Sequence, residues 1–375
     1  MPGVHINLSS RGVSTTIGPP GFNVNIGGKG TFLNQGIPGI GLYNRSRLDG
    51  SAELDRNTGS NQGQGEYDDS VIRELLGLPE YDPNAQIKSG SVHEITSPGL
   101  AGIKEVFLAA EAECIRLKEE MIEEVANLTK LEKKRKSLSR FPIWQIFKSW
   151  AETATARCQD KVDEIKEIEE QQQLAAVQLD TKMTDDLSAG WNDIKEAFEF
   201  VAESFAIWDT TEEFKVDPDT KSAAQRSLSR VPVEFTLKDV EFIKSDTQAL
   251  HLENANGGNL FIYPGFIMVR ESGVGNFALI ELKDLEVKYS EVHFVETEHT
   301  PEDAALIKYT WAKVNKDGSP DRRFVGNYEI PVLRYGELTL TSSSGLNERY
   351  MVSRAEILEG FSKMLTIYFG ILKNR

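Results

Sequence analysis

The sequence predicts an α+β multidomain protein. It would comprise an N-terminal antiparallel β meander, a long antiparallel α-helical hairpin of coiled-coil type, and a C-terminal antiparallel β domain closed by one helix. Three observations predict it. Glycine recurs every nine residues from Gly3 to Gly39, apolar residues then recur at spacings of three and four from Leu100 to Leu179, and period-two runs return at Val231. The expected boundaries are residues 1–43 for the meander, 44–96 for a flexible linker, 97–208 for the hairpin and a third helix, 209–230 for a second linker, and 231–375 for the C-terminal domain.

Composition narrows the function classes. With 375 residues the chain is long enough for two or three folded units. Its 39% hydrophobic and 27% charged content suits solvated helices and linkers around smaller cores. A net charge of -16 argues against whole-surface attraction to nucleic acid or anionic membrane, though not against a local basic patch. Two cysteines, Cys114 and Cys158, rule out a disulfide framework and point to a reduced, cytoplasmic setting. Neither a secretory signal nor an apolar run long enough to span a bilayer is visible.

In the meander Val4, Ile6 and Leu8, then Val13, Thr15 and Ile17, then Phe22, Val24 and Ile26 alternate with polar residues. Turns such as Gly18-Pro19-Pro20-Gly21 and Gly27-Gly28-Lys29-Gly30 divide them. Glycine supplies positive φ at such turns, and proline presets φ without needing an amide donor. A sheet of this size has one apolar face and too few residues to enclose a core alone, so it calls for a cover. Gly28-Lys29 is not a phosphate loop, because Asn23 and Gly30 stand where that motif needs Gly and Ser or Thr.

The run "GVHINLSSRGVSTTIGPPGFNVNIGGKGTFLNQGIPGIGLYNR" resembles the N-terminal glycine-repeat domain of a bacterial family catalogued only as a domain of unknown function. Its closing "GIPGIGLYNR" matches that family's usual ending except for Ile40, where Thr or Ser is commoner, and the usual basic first strand is missing ahead of Pro2. The resemblance implies a bacterial or phage-encoded origin and no known activity.

The hairpin is read from Ser97-Pro98, a helix cap with proline in the first turn. Its first seam runs through Leu100, Ile103, Phe107, Ala110, Cys114, Leu117, Met121, Val125, Leu128 and Leu131, and Pro142 breaks it. The second continues through Cys158, Val162, Ile165, Ile168, Ala175 and Leu179, so each arm would be roughly 55–60 Å long. At the tip Lys130, Lys133, Lys134, Arg135, Lys136 and Arg140 cluster beside Phe141, Trp144, Phe147 and Trp150. Basic residues beside aromatics suit a phosphate or membrane surface, while the plainer reading is a solvated helix end whose cations favour the dipole. A third helix follows from Thr184 or Asp185 to Trp208.

The C-terminal strands are expected at Val231–Leu237, Ala249–Leu252, Leu260–Tyr263, Phe266–Arg270, Phe277–Leu282, Leu285–Tyr289 and Val292–Val295, and again from Ile307 to Val352. Thr300-Pro301-Glu302-Asp303 reads as the cap of a short helix, and Ser353 with Glu356 as a capping box for the last one. This element order suggests a pleckstrin-homology-like barrel. The loop "NKDGSPDRRF" carries a hairpin signal at Asp317-Gly318, with Asp321 placed to pair Arg322 and Arg323. With "IPVLRYGEL" and "GLNERY" it resembles the C-terminal part of longer members of the same family. Arg322 and Arg323 could grip a carboxylate or phosphate, or simply brace the hairpin.

No catalytic, metal or cofactor motif emerges. His293 and His299 lie too far apart on an extended strand to share a zinc ion. The expectation is therefore a non-enzymatic scaffold or adaptor that forms a homo-oligomer through the N-terminal sheet and binds a protein partner through the C-terminal domain. One alternative is a peripheral membrane or nucleic-acid binder acting through the basic tip, and a second is an enzyme with an unrecognised site around Asp317, Asp321 and Arg323.

Overall fold

The computed structural model describes residues 86–138, 148–215, 226–315 and 317–374, together with five strands of the N-terminal region. The turns between those strands, most of the first linker, and Arg140, Phe141, Trp144 and Phe147 at the expected tip lie outside the described residues.

Among the described residues there are four α-helices: α1 (Ala101–Leu138), α2 (Lys148–Ala175), α3 (Asp185–Ala202) and α4 (Ala355–Lys373). The N-terminal strands β1 (Gly3–Ser9), β2 (Gly12–Ile17), β3 (Phe22–Gly27), β4 (Gly30–Gly36) and β5 (Tyr43–Arg47) pair antiparallel in sequence order. Their sheet continues through β6 (Val177–Lys182) to β10 (Ile243–Ser245), because β1 pairs parallel with β6 and β6 parallel with β10.

Two further sheets follow. One has five strands in the order β14-β13-β12-β11-β9, from β9 (Phe235–Leu237), β11 (Leu250–Leu252), β12 (Asn259–Ile262), β13 (Phe266–Arg270) and β14 (Phe277–Glu281). The other runs β15-β17-β18-β7-β8, from β7 (Ile207–Lys215), β8 (Arg226–Pro232), β15 (Leu285–Val295), β17 (Glu329–Ser342) and β18 (Asn347–Val352). β16 (Ala305–Trp311) joins this sheet by pairing with β17.

The expected fold class is overturned. Among the described residues no long antiparallel coiled-coil hairpin forms: α1 has 38 residues but α2 only 28, roughly 42 Å against the 55–60 Å expected. The chain leaves the helix at Ala175, and Leu179, assigned to the helical seam, is a fully buried strand residue of β6. Val125, another seam position, is 46% exposed. The start of α1 is no free arm either, since Ile103, Phe107 and Ala110 are buried with residues of the sheets, α3 and α4 in one core. The C-terminal region is not a barrel closed by one helix but two sheets sharing that core with helices α1, α3 and α4.

Aromatic packing knits the core. In α3, buried Leu187, Trp191, Ile194, Phe198 and Val201 fall at spacings of three and four, one face of a helix. Phe198 stacks on Phe235 of β9 with ring centroids 5.6 Å apart and meets Phe361 of α4 at 5.6 Å. Trp191 lies 5.5 Å from Tyr368 and donates its indole N–H to Thr247 at 2.9 Å. Burying each such ring contributes about 2–3 kcal/mol. Gly336 lets β17 meet α4, for a Cβ there would lie 3.0 Å from Leu358 Cδ2 and 3.1 Å from Ala355 Cα.

Local polar expectations are redirected by tertiary contacts. Ser97 does not cap a helix. Its amide donates to Leu279 O at 2.8 Å, and its hydroxyl accepts from Glu281 N at 3.1 Å, so the segment runs along β14. Ser353 likewise accepts from Ala206 N at 3.2 Å, while Glu356 pairs with Arg334, and no capping box forms. Residues 301–304 form a turn rather than a helix, and Asp303 accepts from Phe205 N at 2.7 Å.

One buried acid fixes α1 to the body. Glu111 is 2% exposed and accepts from Arg270 at 2.9 Å and from Gly275 N at 2.7 Å. Removing it strands a cation and an amide together. Glu111→Ala is expected to lower unfolding free energy by about 3 kcal/mol, measured by denaturant titration; a change within experimental error would show that this tie does not hold α1.

Candidate functional site

Two features of the body gather polar and titratable side chains: a surface groove and a buried pair of carboxylates.

The groove, of about 610 Å³, opens where the end of α3, the start of β7, the β8–β9 connection and the 298–301 segment converge. Ile207, Val233 and Phe235 are buried beneath it. Phe205, 52% exposed, stands beside His299 with ring centroids 5.7 Å apart. Glu234 and Glu298 place carboxylates at its border. The result is a trough of mixed polar and apolar lining, with two aromatic rings and two acids along it.

A buried arginine holds the 296–299 segment in place. Arg230 of β8 lies between Trp208 and Phe294, 4.3 and 4.4 Å from their ring centres. Its Nη2 donates to both oxygens of Glu296 at 2.8 Å and reaches Glu298 at 3.3 Å. Tyr335 donates to Glu296 at 2.7 Å, and Glu296 accepts from Glu298 N at 3.0 Å. Burial and the bond to Glu296 together push the Tyr335 hydroxyl above its ordinary range. Cation–π contact and full satisfaction of the carboxylate together offset the cost of burying this ion pair.

The carboxylate pair lies on the other face of the same sheet. Tyr350 of β18 sits in register with Asp209 of β7, while the neighbouring pair Met351 and Trp208 belongs to a separate small core. Asp209 and Glu348 are both fully buried. Asp209 accepts from Ala255 N at 2.8 Å through Oδ2, and its Oδ1 has no hydrogen-bond partner among the described residues. Glu348 accepts from Asn254 at 2.6 Å and from Ser89, whose oxygen in turn accepts from Asn347 N at 3.0 Å. Residues 87–90 thus form a strap over this end of the sheet, with Ile87 N donating to Thr211 O and Gly90 N to Gly345 O, each at 2.9 Å.

Burial without a cation raises both acids. Asp209 is pushed up to about 6 by burial, against the opposing bond from Ala255. Glu348 reaches about 7 through burial, helped by the charge of Asp209 and opposed by the Ser89 and Asn254 hydrogen bonds. His251 of β11 is pushed down to about 4, chiefly by burial, and its Nδ1 lies 3.0 Å from the Thr236 hydroxyl.

The residues singled out from sequence do not come together in one site. Lys133, Lys134 and Lys136 are exposed at the end of α1 and Arg135 is half-buried; Arg135 and Lys136 occupy its last turn, where they favour the dipole. Trp144 lies outside the described residues. In the 315–324 loop Asp321 is 2% exposed and receives the Arg323 guanidinium through Nε at 2.9 Å and Nη2 at 2.5 Å. Asp317 accepts from Ser319 N at 3.0 Å and Oγ at 2.6 Å. Arg323 therefore braces its own loop, and Arg322 is exposed beside it. Burial raises the Cys114 thiol, and Cys158 is buried, so both pack rather than react. Among the described residues no group of three or more His, Cys, Asp or Glu is placed to hold a metal, and no helix is long and apolar enough to cross a membrane.

Sequence reasoning missed Arg230, Glu296, Asp209 and Glu348. Of these, Glu296 left a trace in the sequence. The available signal was its place directly after the apolar run Val292–Val295, where an acid needs a buried cation to stay charged.

Residues 1–45 match a family described as Protein of unknown function (DUF4236). The match covers 45 of 375 residues, so it reaches neither the groove nor the carboxylates, and it does not extend to the 315–324 loop. No curated protein and no solved structure matches the chain.

The two raised acids set a sign for pH dependence. The folded state still holds protons up to about pH 6 and pH 7 that an unfolded chain releases by about pH 5. Folding therefore binds protons in this window, and stability falls as pH rises through it. His251 acts oppositely, weakening the fold as pH drops below about 6.5, so the informative quantity is a difference between proteins. An Asp209→Asn, Glu348→Gln variant is expected to gain on the wild type between pH 5 and pH 7.5 in denaturant titrations. A gap that stays constant with pH would show that the pair does not titrate in the fold.

Proposed function

We propose that the protein is a non-enzymatic adaptor of the cytoplasm, holding a basic, partly apolar protein segment in the groove and self-associating through its N-terminal sheet. The observation that carries this is the groove itself. Its apolar floor suits an aliphatic or aromatic side chain, and Glu234 and Glu298 suit lysine or arginine beside it. The Phe205–His299 pair offers a ring surface for the same cation. The Arg230–Glu296 network braces this rim before any partner arrives, which limits the ordering cost of binding. The two free thiols suit a reducing compartment.

Self-association draws its support from the five-stranded meander. Over β1 to β3 its apolar residues alternate in a single phase, and the pairings keep that phase aligned into β4, as in Ile6↔Thr15, Thr15↔Ile26 and Val24↔Leu33, whereas Phe32 and Tyr43 fall in the other phase. A second copy is the cover with matching chemistry.

The test of the groove uses a fluorescent peptide of alternating lysine and leucine. Binding at low salt is expected to weaken as salt rises, and to fall about tenfold or more on Glu234→Lys or Phe205→Ser. No binding by the wild type at low salt, or equal binding by both variants, would overturn the groove's role.

A further inference from the structure

We infer that the buried face around Asp209 and Glu348 is a binding site for a hard divalent cation of the calcium class, closed on one side by the 87–90 strap.

The topology brings the oxygen donors together. Glu348 and Tyr350 stand two residues apart on β18 and so share one face of the sheet, and Asp209 of β7 is in register with Tyr350. All three side chains are fully buried. The loop after β11 closes over them through consecutive residues. Asn254 donates to Glu348 at 2.6 Å, Ala255 N donates to Asp209 at 2.8 Å, and Asn256 N donates to Asn254 Oδ1 at 3.1 Å. Gly257 permits this close approach, since a Cβ there would lie 3.1 Å from Asn254 Oδ1 and 3.6 Å from Glu348 Oε1. The strap reaches the same end of the sheet. Asn256 Nδ2 donates to Ile87 O at 2.9 Å, and the Ser89 hydroxyl donates to Glu348.

Acceptors outnumber donors on this face. Among the described residues Asp209 Oδ1 and Asn256 Oδ1 are buried and accept no hydrogen bond, and the Tyr350 hydroxyl, beside Asn254, makes none of ordinary geometry. Nor does any described lysine, arginine or histidine pair with either carboxylate. A fully buried carboxylate oxygen without a partner is costly, and a bound cation removes that cost. Two carboxylates also match the charge of one divalent ion.

The donor types choose the ion. Carboxylate, side-chain amide and phenol oxygens form an all-oxygen set, which suits a hard cation and not zinc or copper. Only two members are acids, so the set falls outside any grouping of three His, Cys, Asp or Glu. Calcium accepts amide oxygens and irregular geometry, whereas magnesium demands a near-ideal octahedron and keeps several waters. The bound ion would link β7, β18 and the 254–257 loop, and through Ile87 and Ser89 it would fasten the strap that precedes α1.

The test uses the full-length protein stripped with a chelator and titrated calorimetrically with calcium chloride at neutral pH. One ion per chain is expected, with a Kd on the order of 10–100 μM and at least about tenfold weaker binding of magnesium. Asp209→Asn and Glu348→Gln keep the side-chain shapes, and each is expected to weaken calcium about tenfold or more. Hydrogen exchange of the wild type, which needs no variant to fold, is expected to slow with calcium at residues 87–90 and 254–257. No calcium binding by the stripped wild type would overturn the inference. Unchanged affinity in both folded variants, or slowing confined to other segments, would place the ion elsewhere on this acidic chain and overturn it as well. Equal affinity for magnesium would overturn the choice of ion.

Discussion

The structure depends on β6 being a strand with neighbours on both sides. Its burial alternates, with Val177, Leu179 and Thr181 buried and Gln178 and Lys182 exposed. The buried phase belongs to the main core, while the backbone joins β10 on one edge and β1 on the other. Six residues thereby couple the N-terminal meander to the body through hydrogen bonds that need no particular side chains. The register opposite Leu179 and Thr181 falls on Val4 and Ile6, the apolar phase of the first strand. A slip by one residue would break that match, which is why the pairing is specified.

Around this joint the body uses buried charge sparingly and in three distinct ways. Glu111 and Arg270 tie α1 to the β13–β14 hairpin. Arg230 and Glu296 tie the groove's rim to the sheet, with aromatic rings on either side of the guanidinium. Asp209 and Glu348 have no cation between them, and they are stabilised by accepting hydrogen bonds and by retaining protons. The first two brace geometry. The third makes one end of the sheet, beneath the 87–90 strap, responsive to acidity near neutrality.

Much of the strand content was legible and much of the assembly was not. The runs at Leu260–Tyr263, Phe266–Arg270 and Phe277–Leu282 correspond to β12, β13 and β14, since compact apolar runs bounded by Gly and Pro turns have few other solutions. The segment after Ala175 misled because "VQLDTK" also fits a helical seam through Leu179; pairing with β1 and β10, both distant in sequence, decides the matter. Ser353 and Glu356 carried a valid capping signature, but Ala206 and Arg334 offered better partners. The groove could not be read at all, being assembled from residues 202–208, 232–236 and 298–301.

Amide exchange along β6 tests the central claim most directly. Val177 donates to Phe242 O and Leu179 accepts from Asp246 N, so odd-numbered residues face β10 and the even-numbered Gln178, Asp180 and Lys182 face β1. If β1 occupies this edge, the Gln178 and Asp180 amides exchange about as slowly as those of Val177 and Leu179. Exchange at the rate of an open edge, with Val177 still protected, would show that the meander is not joined to the body there.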